Sequence, residues 1–548
     1  MGWRVPHGRW TWLPRWLRVG IVAGSVLLNG CITTGPLDYI RNGFKVGPNY
    51  CRPPAPVAPE WIEAKDPKVQ DRHLQDWWAV FNDPGLNTLI DKAYDQNLTL
   101  RVAAARILEA RAQQAIAAGN IFPQTQEATA AYTRTRLSQT TFNNPGTIGS
   151  FSPVGLPSGL PFGNSFSDWS AGLTMSWELD FWGRYRRAIE SANANLDSSV
   201  ENFDDALVTL LADVATNYVQ FRVAQQRLKI ARANLRYQDK IVATAEQQER
   251  TGTINRVDLE QLRTLLEQTR STIPALQIAQ GQANDTLCIL LGIPPRDLEP
   301  ELGPGPAIEV DRLNADPVPV VPDWVAAGIP ADLLRRRPDI RSAERQIAAQ
   351  SAQIGVAEAD LYPTIFVNGA IGYEAADISK LFESRSFMGT ISPILRWNIL
   401  NYGRIANNVH LQQAKTQELV DRYQNGVLTA AQQVQTALRA FLRSREQAEY
   451  LARSVRAAVA AAKLEEQLFY DVKADVNRFY TLLSTQLQEE DNLAVTQGNV
   501  ALNLINVYRY LGGGWELRMD KEHCGTGLTA VAAVAPAAPE LLPMPKLK

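Results

Sequence analysis

Apolar and polar residues alternate along residues 168–180 with a period of two. The apolar positions, which include Trp169 and Trp177, fall on one side of an extended chain, and the acidic and hydroxyl-bearing residues fall on the other. This alternation predicts a β-strand with one apolar and one polar face. It stops at Gly183, and residues 184–251 contain neither glycine nor proline, which favours one long helix.

The same succession of strand and long helix occurs again. Residues 385–401 predict a second such strand, and Trp397 and Gly403 lie 220 positions after Trp177 and Gly183. The helical pattern ends 108 residues after each of these glycines. Equal helical lengths are typical of neighbouring helices that must keep register in one wall, so we expect an internally repeated architecture.

The pattern divides the chain into parts with different expected structures. These are a signal peptide (1–30), an extended N-terminal segment (31–76), a first repeat (77–298) with a strand pair (124–180) and a helical hairpin (184–291), a linker or equatorial segment (299–330), a second repeat (331–515) with a strand pair (364–401) and a helical hairpin (404–511), and a disordered tail (521–548). Each strand pair holds two candidate strands, so the chain supplies four.

A membrane role would depend on these strands. After residue 31 no run of 18 apolar residues exists, which excludes a transmembrane helix and leaves a closed β-barrel as the remaining way to cross a bilayer. Four strands are too few, because the smallest single-chain barrels need about eight. Several copies would have to share one barrel. The alternative is an aromatic-rich strand in a soluble sandwich.

The tryptophans of the two strands fit the dimensions of a membrane. Trp169 and Trp177 are eight residues apart on one face, which corresponds to about 26 Å along a strand. This is close to the apolar band of about 25 Å between the aromatic girdles of a membrane barrel. We predict that Trp169, Trp177 and Trp397 face lipid.

The N-terminus has the features of a secretory signal. Four arginines precede a short apolar core that ends in the tetrapeptide Leu28-Asn29-Gly30-Cys31. This tetrapeptide resembles a lipobox, which predicts that Cys31 is acylated and becomes the first residue of the mature chain. An ordinary signal peptide with a chance cysteine is the alternative. The remaining cysteines, Cys51, Cys288 and Cys524, are too scattered for a disulfide framework or a metal site.

Charge and motif content argue against other functions. The net charge of −2 gives no reason to expect nucleic acid as a partner. The four histidines have no metal or catalytic spacing, and neither a phosphate-binding glycine loop nor a nucleophile elbow is present. We therefore predict no catalytic residue, metal or cofactor. A periplasmic coiled-coil scaffold without a pore remains the alternative to a membrane duct.

Several motifs together resemble a known family. They are Trp77-Trp78-x-x-Phe81-x-Asp83-Pro84-x-Leu86, Asp332-Leu333-Leu334-Arg335-Arg336-Arg337-Pro338-Asp339-Ile340, Tyr362-Pro363 and Tyr510-Leu511-Gly512-Gly513-Gly514-Trp515. Over about residues 45–518 the chain resembles the outer membrane factor family, and within it the lipoprotein branch of OprM- and NodT-like efflux channels related to TolC. Within this motif, we predict that Arg335 to Arg337 have a structural pairing role and do not bind phosphate.

The resemblance implies an α+β membrane protein. Its fold would be a homotrimer with a 12-strand outer-membrane β-barrel, four strands per chain, continuous with a long periplasmic α-helical barrel and an equatorial domain. Such a channel is anchored by lipid, docks with a periplasmic adaptor and an inner-membrane efflux pump, and passively conducts small molecules to the outside.

The family also narrows its tube where the helical hairpins turn, here at residues 250–258 and 471–480. The charged residues at these turns are candidate gate residues that would pair between protomers: Arg250, Arg256, Asp258, Asp471, Lys473, Asp475 and Arg478. The alternative is that they are solvated and contribute little. Many relatives carry Leu-Asp-Ala-Gln after this turn. Ser484 stands where that aspartate would be, so we predict no acidic ring at this level.

Overall fold

The structure is a computed structural model. It describes residues 35–63, 65–70, 75–136, 165–302, 319, 321–326, 328, 330–471 and 475–519. The predicted signal peptide, acylation site Cys31, gate candidate Lys473, Cys524 and disordered tail lie outside the described residues.

Helices account for most of the described chain. They are α1 (Pro36–Arg41), α2 (Pro84–Gln96), α3 (Leu98–Gly119), α4 (Arg184–Arg250), α5 (Arg256–Leu290), α6 (Glu299–Leu302), α7 (Leu333–Arg336), α8 (Pro338–Ala359), α9 (Arg404–Tyr470) and α10 (Val476–Tyr510). The helices α4 and α9 have 67 residues each, and α5 and α10 have 35 each. The predicted pair of equally long helical hairpins is therefore confirmed.

The strands form two sheets. They are β1 (Val69–Gln70), β2 (Thr125–Arg136), β3 (Ser165–Leu179), β4 (Val325–Ala326), β5 (Thr364–Ala375) and β6 (Phe387–Arg396). The short strands β1 and β4 pair in parallel, and the other four make an antiparallel sheet in the order β2-β3-β5-β6. The four predicted strands are confirmed.

Two predictions of local structure need correction. The last strand ends at Arg396 and does not reach residue 401, because its partner strand begins at Thr364 and leaves nothing for later residues to pair with. The N-terminal segment is not extended throughout, since α1 interrupts it with Pro36 in the first helical turn, a position where proline is favoured.

None of the helices in the described ranges combines the length and the apolar character that a membrane crossing would need.

The chain divides into two compact units. Unit 1 comprises Met1–Cys51, Arg111–Asn195 and Ile347–Glu418, and unit 2 comprises Arg52–Ala110, Leu196–Gln346 and Leu419–Lys548. Unit 1 contains the four-stranded sheet. Unit 2 contains the turns of both helical hairpins and an aromatic core.

The aromatic core of unit 2 explains two of the sequence motifs. Trp77 stacks on Tyr508 with ring centroids 5.5 Å apart, and both side chains are buried. Gly514, at φ +99°, lies under them, and a Cβ there would come within 3.1 Å of Trp78 and 2.8 Å of Leu211. The Trp-Trp motif and the glycines after α10 are thus parts of one packing arrangement, which only glycine at position 514 permits.

An N-terminal clasp, defined as residues 43–47, lies against the start of α4 in unit 1. The buried guanidinium of Arg187 donates hydrogen bonds to the carbonyl oxygens of Val46 and Gly47, at 3.0 and 2.8 Å. Gly47 has φ +82°, and its Cα lies so close to Gly355 that a Cβ would come within 2.4 Å of the Gly355 Cα. The clasp is therefore fixed by both charge-assisted hydrogen bonds and backbone contact.

A charge pair reinforces the clasp. Burial alone would raise the pKa of the Glu190 carboxyl, but hydrogen bonds from Lys45 and Arg187 outweigh that effect and hold the pKa below its ordinary value. A carboxyl with a lowered pKa stabilises the folded state above its unfolded-state pKa of about 4.3. That stabilisation is lost as the pH falls through the folded-state pKa.

Gly47→Ala should release the clasp, and Gly43→Ala should not. Both glycines have positive φ, but a Cβ at Gly43 meets nothing within 4 Å. Both substitutions lose stability because alanine disfavours positive φ. In Gly47→Ala the contact of the new Cβ with the Gly355 backbone costs about 1–3 kcal/mol more. Trypsin should therefore cleave after Lys45 about tenfold faster or more in Gly47→Ala, as measured by mass spectrometry. Equal cleavage in the two variants would contradict this role for the contact.

Candidate functional site: a two-faced sheet and the turns of two helical hairpins

The register of the sheet places even-numbered residues of β2 opposite odd-numbered residues of β3, and odd-numbered residues opposite each other across β3, β5 and β6. Leu173 on β3 pairs with Ala128 on β2 and with Ile371 on β5, which in turn pairs with Gly389 on β6. Because successive side chains point to opposite faces of a strand, one face of the sheet carries the even-numbered residues of β2 and the odd-numbered residues of β3, β5 and β6.

Most residues of that face are apolar. We name it the apolar face, and its members include Ala128, Ala130, Tyr132, Trp169, Ala171, Leu173, Met175, Trp177, Leu179, Ile365, Val367, Ile371, Tyr373, Phe387, Ile391, Pro393 and Leu395. Ile391 is 80% exposed, Leu395 65%, Leu173 55% and Ile371 54%. An exposed apolar surface that is continuous over four strands is typical of a lipid- or protein-binding face.

The opposite face is mostly polar, and we name it the polar face. It carries Glu127, Thr129, Thr133, Asp168, Ser170, Thr174, Ser176, Glu178, Thr364, Asn368, Glu374, Thr390, Ser392 and Arg396. Some of these groups bond across strands, as Ser176 Oγ does to Asn368 Oδ1 at 2.8 Å. The two faces therefore suit apolar and aqueous surroundings respectively.

Neither edge of this sheet is paired with another strand of the described chain. Within the described chain β2, with 12 residues, pairs only with β3, and β6, with 10 residues, pairs only with β5. Open edges of this length present unpaired backbone groups to another chain. In lipid such groups must be paired, so the sheet is incomplete as a membrane element.

The predicted lipid-facing tryptophans occupy the two ends of the apolar face. Trp169 packs on Tyr132 with ring centroids 4.4 Å apart. At the other end Trp177 Nε1 donates to the Ile121 carbonyl oxygen at 2.9 Å. Trp397 lies just beyond β6, and its Nε1 donates to the Leu361 carbonyl oxygen at 3.0 Å. The indole nitrogens of Trp177 and Trp397 are thus hydrogen-bonded, as is common for tryptophans at the edge of an apolar surface.

Sequence reasoning missed the other aromatic residues at the Trp169 end. Tyr373 contacts Phe387 with ring centroids 5.8 Å apart, and both belong to the apolar face. The period of two in their own strands contains the signal, but the register that brings them beside Tyr132 and Trp169 depends on pairing between distant segments.

The turns of the two helical hairpins pack on each other in unit 2. One buried cluster joins residues from both: Ile241, Val242, Ala245, Leu259, Leu262, Leu265, Leu266, Phe469, Val476, Phe479 and Leu483. Phe469 stacks on Phe479 with centroids 4.9 Å apart. Burial and, secondly, a hydrogen bond to Glu466 raise the pKa of Tyr237 beside this cluster above its ordinary value. The turns of both hairpins are therefore held together by one apolar core within a single chain.

Two gate candidates cap helices. Asp258 and Asn255 form a reciprocal capping box at the start of α5. Asp475 caps α10 by accepting a hydrogen bond from the Asn477 backbone N–H at 3.0 Å. These aspartates satisfy backbone donors that a helix start leaves free.

The remaining candidates differ in their surroundings. Arg478 pairs with Glu465 at 2.7 Å, and the Glu465 side chain is 3% exposed whereas that of Arg478 is 66% exposed. Arg250 ends α4, Arg256 begins α5, and Asp471 directly follows α9. Sequence reasoning missed Glu465, because no local pattern distinguishes a buried acidic residue in a long helix from a solvated one.

Arg337 of the Arg-Arg-Arg-Pro motif has the structural pairing role that was predicted for it. Arg337 forms a two-bond pair with Asp339, at 3.0 and 2.7 Å, and donates to Gln433 Oε1 and to the Tyr510 carbonyl oxygen, both at 3.0 Å. The guanidinium N–H groups of Arg337 therefore bind acceptors of the protein itself.

Taken together, the sheet and the hairpins define a class of protein. A sheet with a lipid-compatible face and two open edges, followed twice in the chain by a very long helical hairpin, is the design of an outer-membrane channel subunit. Comparison with known proteins agrees. The family model for outer membrane efflux proteins matches residues 89–293 and 329–513. The chain belongs to this family, and it functions in efflux at the outer membrane.

Relatives and solved structures resemble the chain over most of its length. The pyoverdine export outer membrane protein OpmQ of Pseudomonas putida is 30% identical over 475 residues, covering 85% of this chain and 95% of OpmQ. The cation efflux system protein CusC of Escherichia coli is 30% identical over 486 residues, covering 86% and 96%. The structure of the outer-membrane channel OprN superposes with a TM-score of 0.76 at 29% identity, covering 86% of this chain and 99% of OprN. The resemblance noted from the motifs is confirmed.

Proposed function

We propose that three copies of the chain combine their sheets into one 12-strand barrel in the outer membrane, and that the barrel is the exit duct of a tripartite efflux system. The observation that carries the proposal is the exposed apolar face between two open edges. The apolar face would contact lipid, the polar face would line the lumen, and β2 of one copy would pair with β6 of the next.

Three copies fit a duct better than two. Two sheets would close an eight-strand barrel, and the interior of such a barrel is filled by side chains or holds one small ligand. Twelve strands leave a wider interior. The polar face supports this reading, because it carries charged and hydroxyl-bearing residues from all four strands.

The helical hairpins would form the periplasmic part of the duct, with an equatorial domain built from segments such as residues 299–330. Each strand pair leads into a hairpin of the same size, since α4 and α9 have 67 residues and α5 and α10 have 35. This equality supports a two-fold internal repeat with the domain limits predicted above. If the hairpins of three copies stand side by side in a ring, they would all have the same length.

A periplasmic adaptor and an inner-membrane pump would deliver the cargo. The named relatives differ in cargo, since OpmQ is named for pyoverdine export and CusC for cation efflux. We propose that this chain conducts small molecules selected by its pump, and that its duct is passive. A coiled-coil scaffold without a pore is disfavoured because it would have no use for an exposed apolar sheet face.

Acylation of Cys31 would anchor the N-terminal segment to the same membrane. A relative from Salmonella typhimurium is named a probable outer membrane lipoprotein, which supports this part of the proposal. Mass spectrometry of the mature N-terminus tests it: a diacylglyceryl and acyl mass on Cys31 is expected, and an unmodified terminus would refute it.

Conductance in a planar lipid bilayer tests the proposed duct. Purified protein should insert from detergent and produce discrete conductance steps, and it should migrate as a heat-modifiable oligomer. A protein that is monomeric without detergent and produces no steps would support the scaffold alternative.

The gate proposal gives a separate prediction. The double variant Arg256→Ala, Arg478→Ala should raise single-channel conductance or open time, because it removes charges at both hairpin turns. An exposed ion pair contributes up to about 1 kcal/mol, so the closed–open equilibrium should shift by up to about fivefold per pair. Arg263→Ala, Arg270→Ala is the matched control, since both arginines form exposed ion pairs along α5. If the double variant behaves like this control, Arg256 and Arg478 are not gate residues.

A further inference from the structure

We infer that Arg134 and Arg136 form a binding rim for the phosphate groups of lipopolysaccharide at the outer end of the apolar face. The inference rests on the proposed function, because it requires the apolar face to contact the outer leaflet. It adds a lipid-recognition site that the duct itself does not need.

The apolar face carries charge at one end only. Among its described strand residues, the charged ones are Arg134, opposite Ser167, and Arg136, opposite Ser165. Both arginines are exposed. They follow Tyr132, whose ring packs on Trp169, so the order along the strand is apolar residues, then an aromatic pair, then two basic residues.

The chain shows which end this is. All four junctions between the sheet and the helical segments α3, α4, α8 and α9 lie at the opposite end of the strands, where β2 and β5 begin and β3 and β6 end. With the hairpins in the periplasm, the arginines would lie at the outer surface. The outer leaflet of this membrane consists largely of lipopolysaccharide, whose headgroup carries phosphates.

In the described strands no acidic residue shares the apolar face with these arginines. The segment between β2 and β3, residues 137–164, contains no aspartate or glutamate at all. The acidic groups of the other connection are engaged, because Glu383 pairs with Arg385 at 2.7 Å and Asp377 accepts a hydrogen bond from the Ser379 N–H at 3.0 Å.

The guanidinium groups of Arg134 and Arg136 are suited to binding phosphate. Guanidinium groups bind phosphate through two parallel hydrogen bonds. Long basic side chains at the edge of an apolar surface also extend their charged ends into the headgroup region. Two arginines spaced by two residues would place both guanidinium groups on the same side, about 7 Å apart along the strand.

Native mass spectrometry of the full-length protein in non-ionic detergent, titrated with rough-type lipopolysaccharide, tests the inference. Arg134→Gln, Arg136→Gln should weaken binding about 30-fold, from about fivefold for each basic residue near an anionic surface. Arg134→Lys, Arg136→Lys should retain most of the binding because the charge remains. The control Arg396→Gln, Arg404→Gln removes two charges elsewhere in unit 1 and should leave the binding of lipopolysaccharide unchanged.

Two further arms identify the ligand group. Lipopolysaccharide with its phosphates removed should bind the wild type as weakly as the intact lipid binds the glutamine variant, and inorganic phosphate should not compete. Equal affinity of the wild type and the glutamine variant, or equal binding of the dephosphorylated lipid, would overturn the inference. If the glutamine variant also conducts normally in bilayers, only the rim is refuted. A water-soluble monomer that binds no lipid would overturn both the rim and the proposed duct.

Discussion

Leu173→Arg is expected to prevent assembly in the outer membrane, whereas Thr174→Arg on the same strand should leave assembly intact. Leu173 lies midway between Trp169 and Trp177 on the apolar face and is 55% exposed. Thr174 is its neighbour on the polar face, opposite Glu127. The two variants add the same side chain at the same depth, so they differ only in the face that receives it.

The expected difference is large. An arginine at the bilayer midplane of a barrel's lipid face costs about 2–4 kcal/mol. Three copies would bring the cost to about 6–12 kcal/mol per barrel if the contributions add, which rivals the stability of a typical domain. An arginine at Thr174 would face water and lie opposite the carboxylate of Glu127.

Fractionation of cells followed by gel electrophoresis without heating measures this difference. Heat-modifiable oligomer should be present in the outer-membrane fraction for Thr174→Arg and nearly absent for Leu173→Arg. Equal amounts in both variants would show that the apolar face does not contact lipid.

Asp204→Asn should produce the largest loss of stability in unit 2. The Asp204 side chain is 1% exposed and lies between two arginines, 2.7 Å from Arg518 Nε and 3.3 Å from Arg341 Nη2. Arg341 also lies over the Trp515 ring at 4.2 Å. Asp204 therefore joins α4, α8 and the segment after α10. Its removal takes the 2.7 Å carboxylate contact from Arg518, whereas Arg341 keeps its ion pair with Glu201 at 2.6 Å.

Removing one partner of a buried ion pair costs about 3–5 kcal/mol. Chemical denaturation followed by circular dichroism should show this loss for Asp204→Asn. Asp197→Asn, seven residues earlier in α4 and exposed, is the control and should be close to wild type. A shift of less than about 1 kcal/mol for Asp204→Asn would mean that the arginines are neutralised by other groups.

Much of the fold could be predicted because its signals are local. The period of two along residues 168–180 and the glycine- and proline-free helical runs place β3, α4 and α9 within a few residues of their observed limits. The end of β6 could not be placed, because it depends on where β5 begins. The contact of Gly47 with Gly355 likewise joins segments that no local pattern connects.

The candidate site divides in the same way. The side of β3 that carries Trp169 and Trp177 follows from alternation, and the whole apolar face follows once the register is known. The helix cap formed by Asn255 and Asp258 has the spacing of a capping box, so it could have been predicted from the sequence. The pairing of Arg478 with the buried Glu465 could not be predicted from the sequence, because it joins two helices whose relative rotation is set by packing.

Disulfide cross-linking of the sheet edges tests the shared barrel most directly. Cysteines placed in pairs along β2, such as Thr129→Cys, and β6, such as Thr390→Cys, would be introduced in a Cys51→Ser background, since Cys51 is exposed. Under oxidising conditions some pairs should give covalent dimers and trimers and no larger species, which would show β2 of one copy beside β6 of another. A ladder that continues past three, or monomers alone at every position tried, would contradict the account.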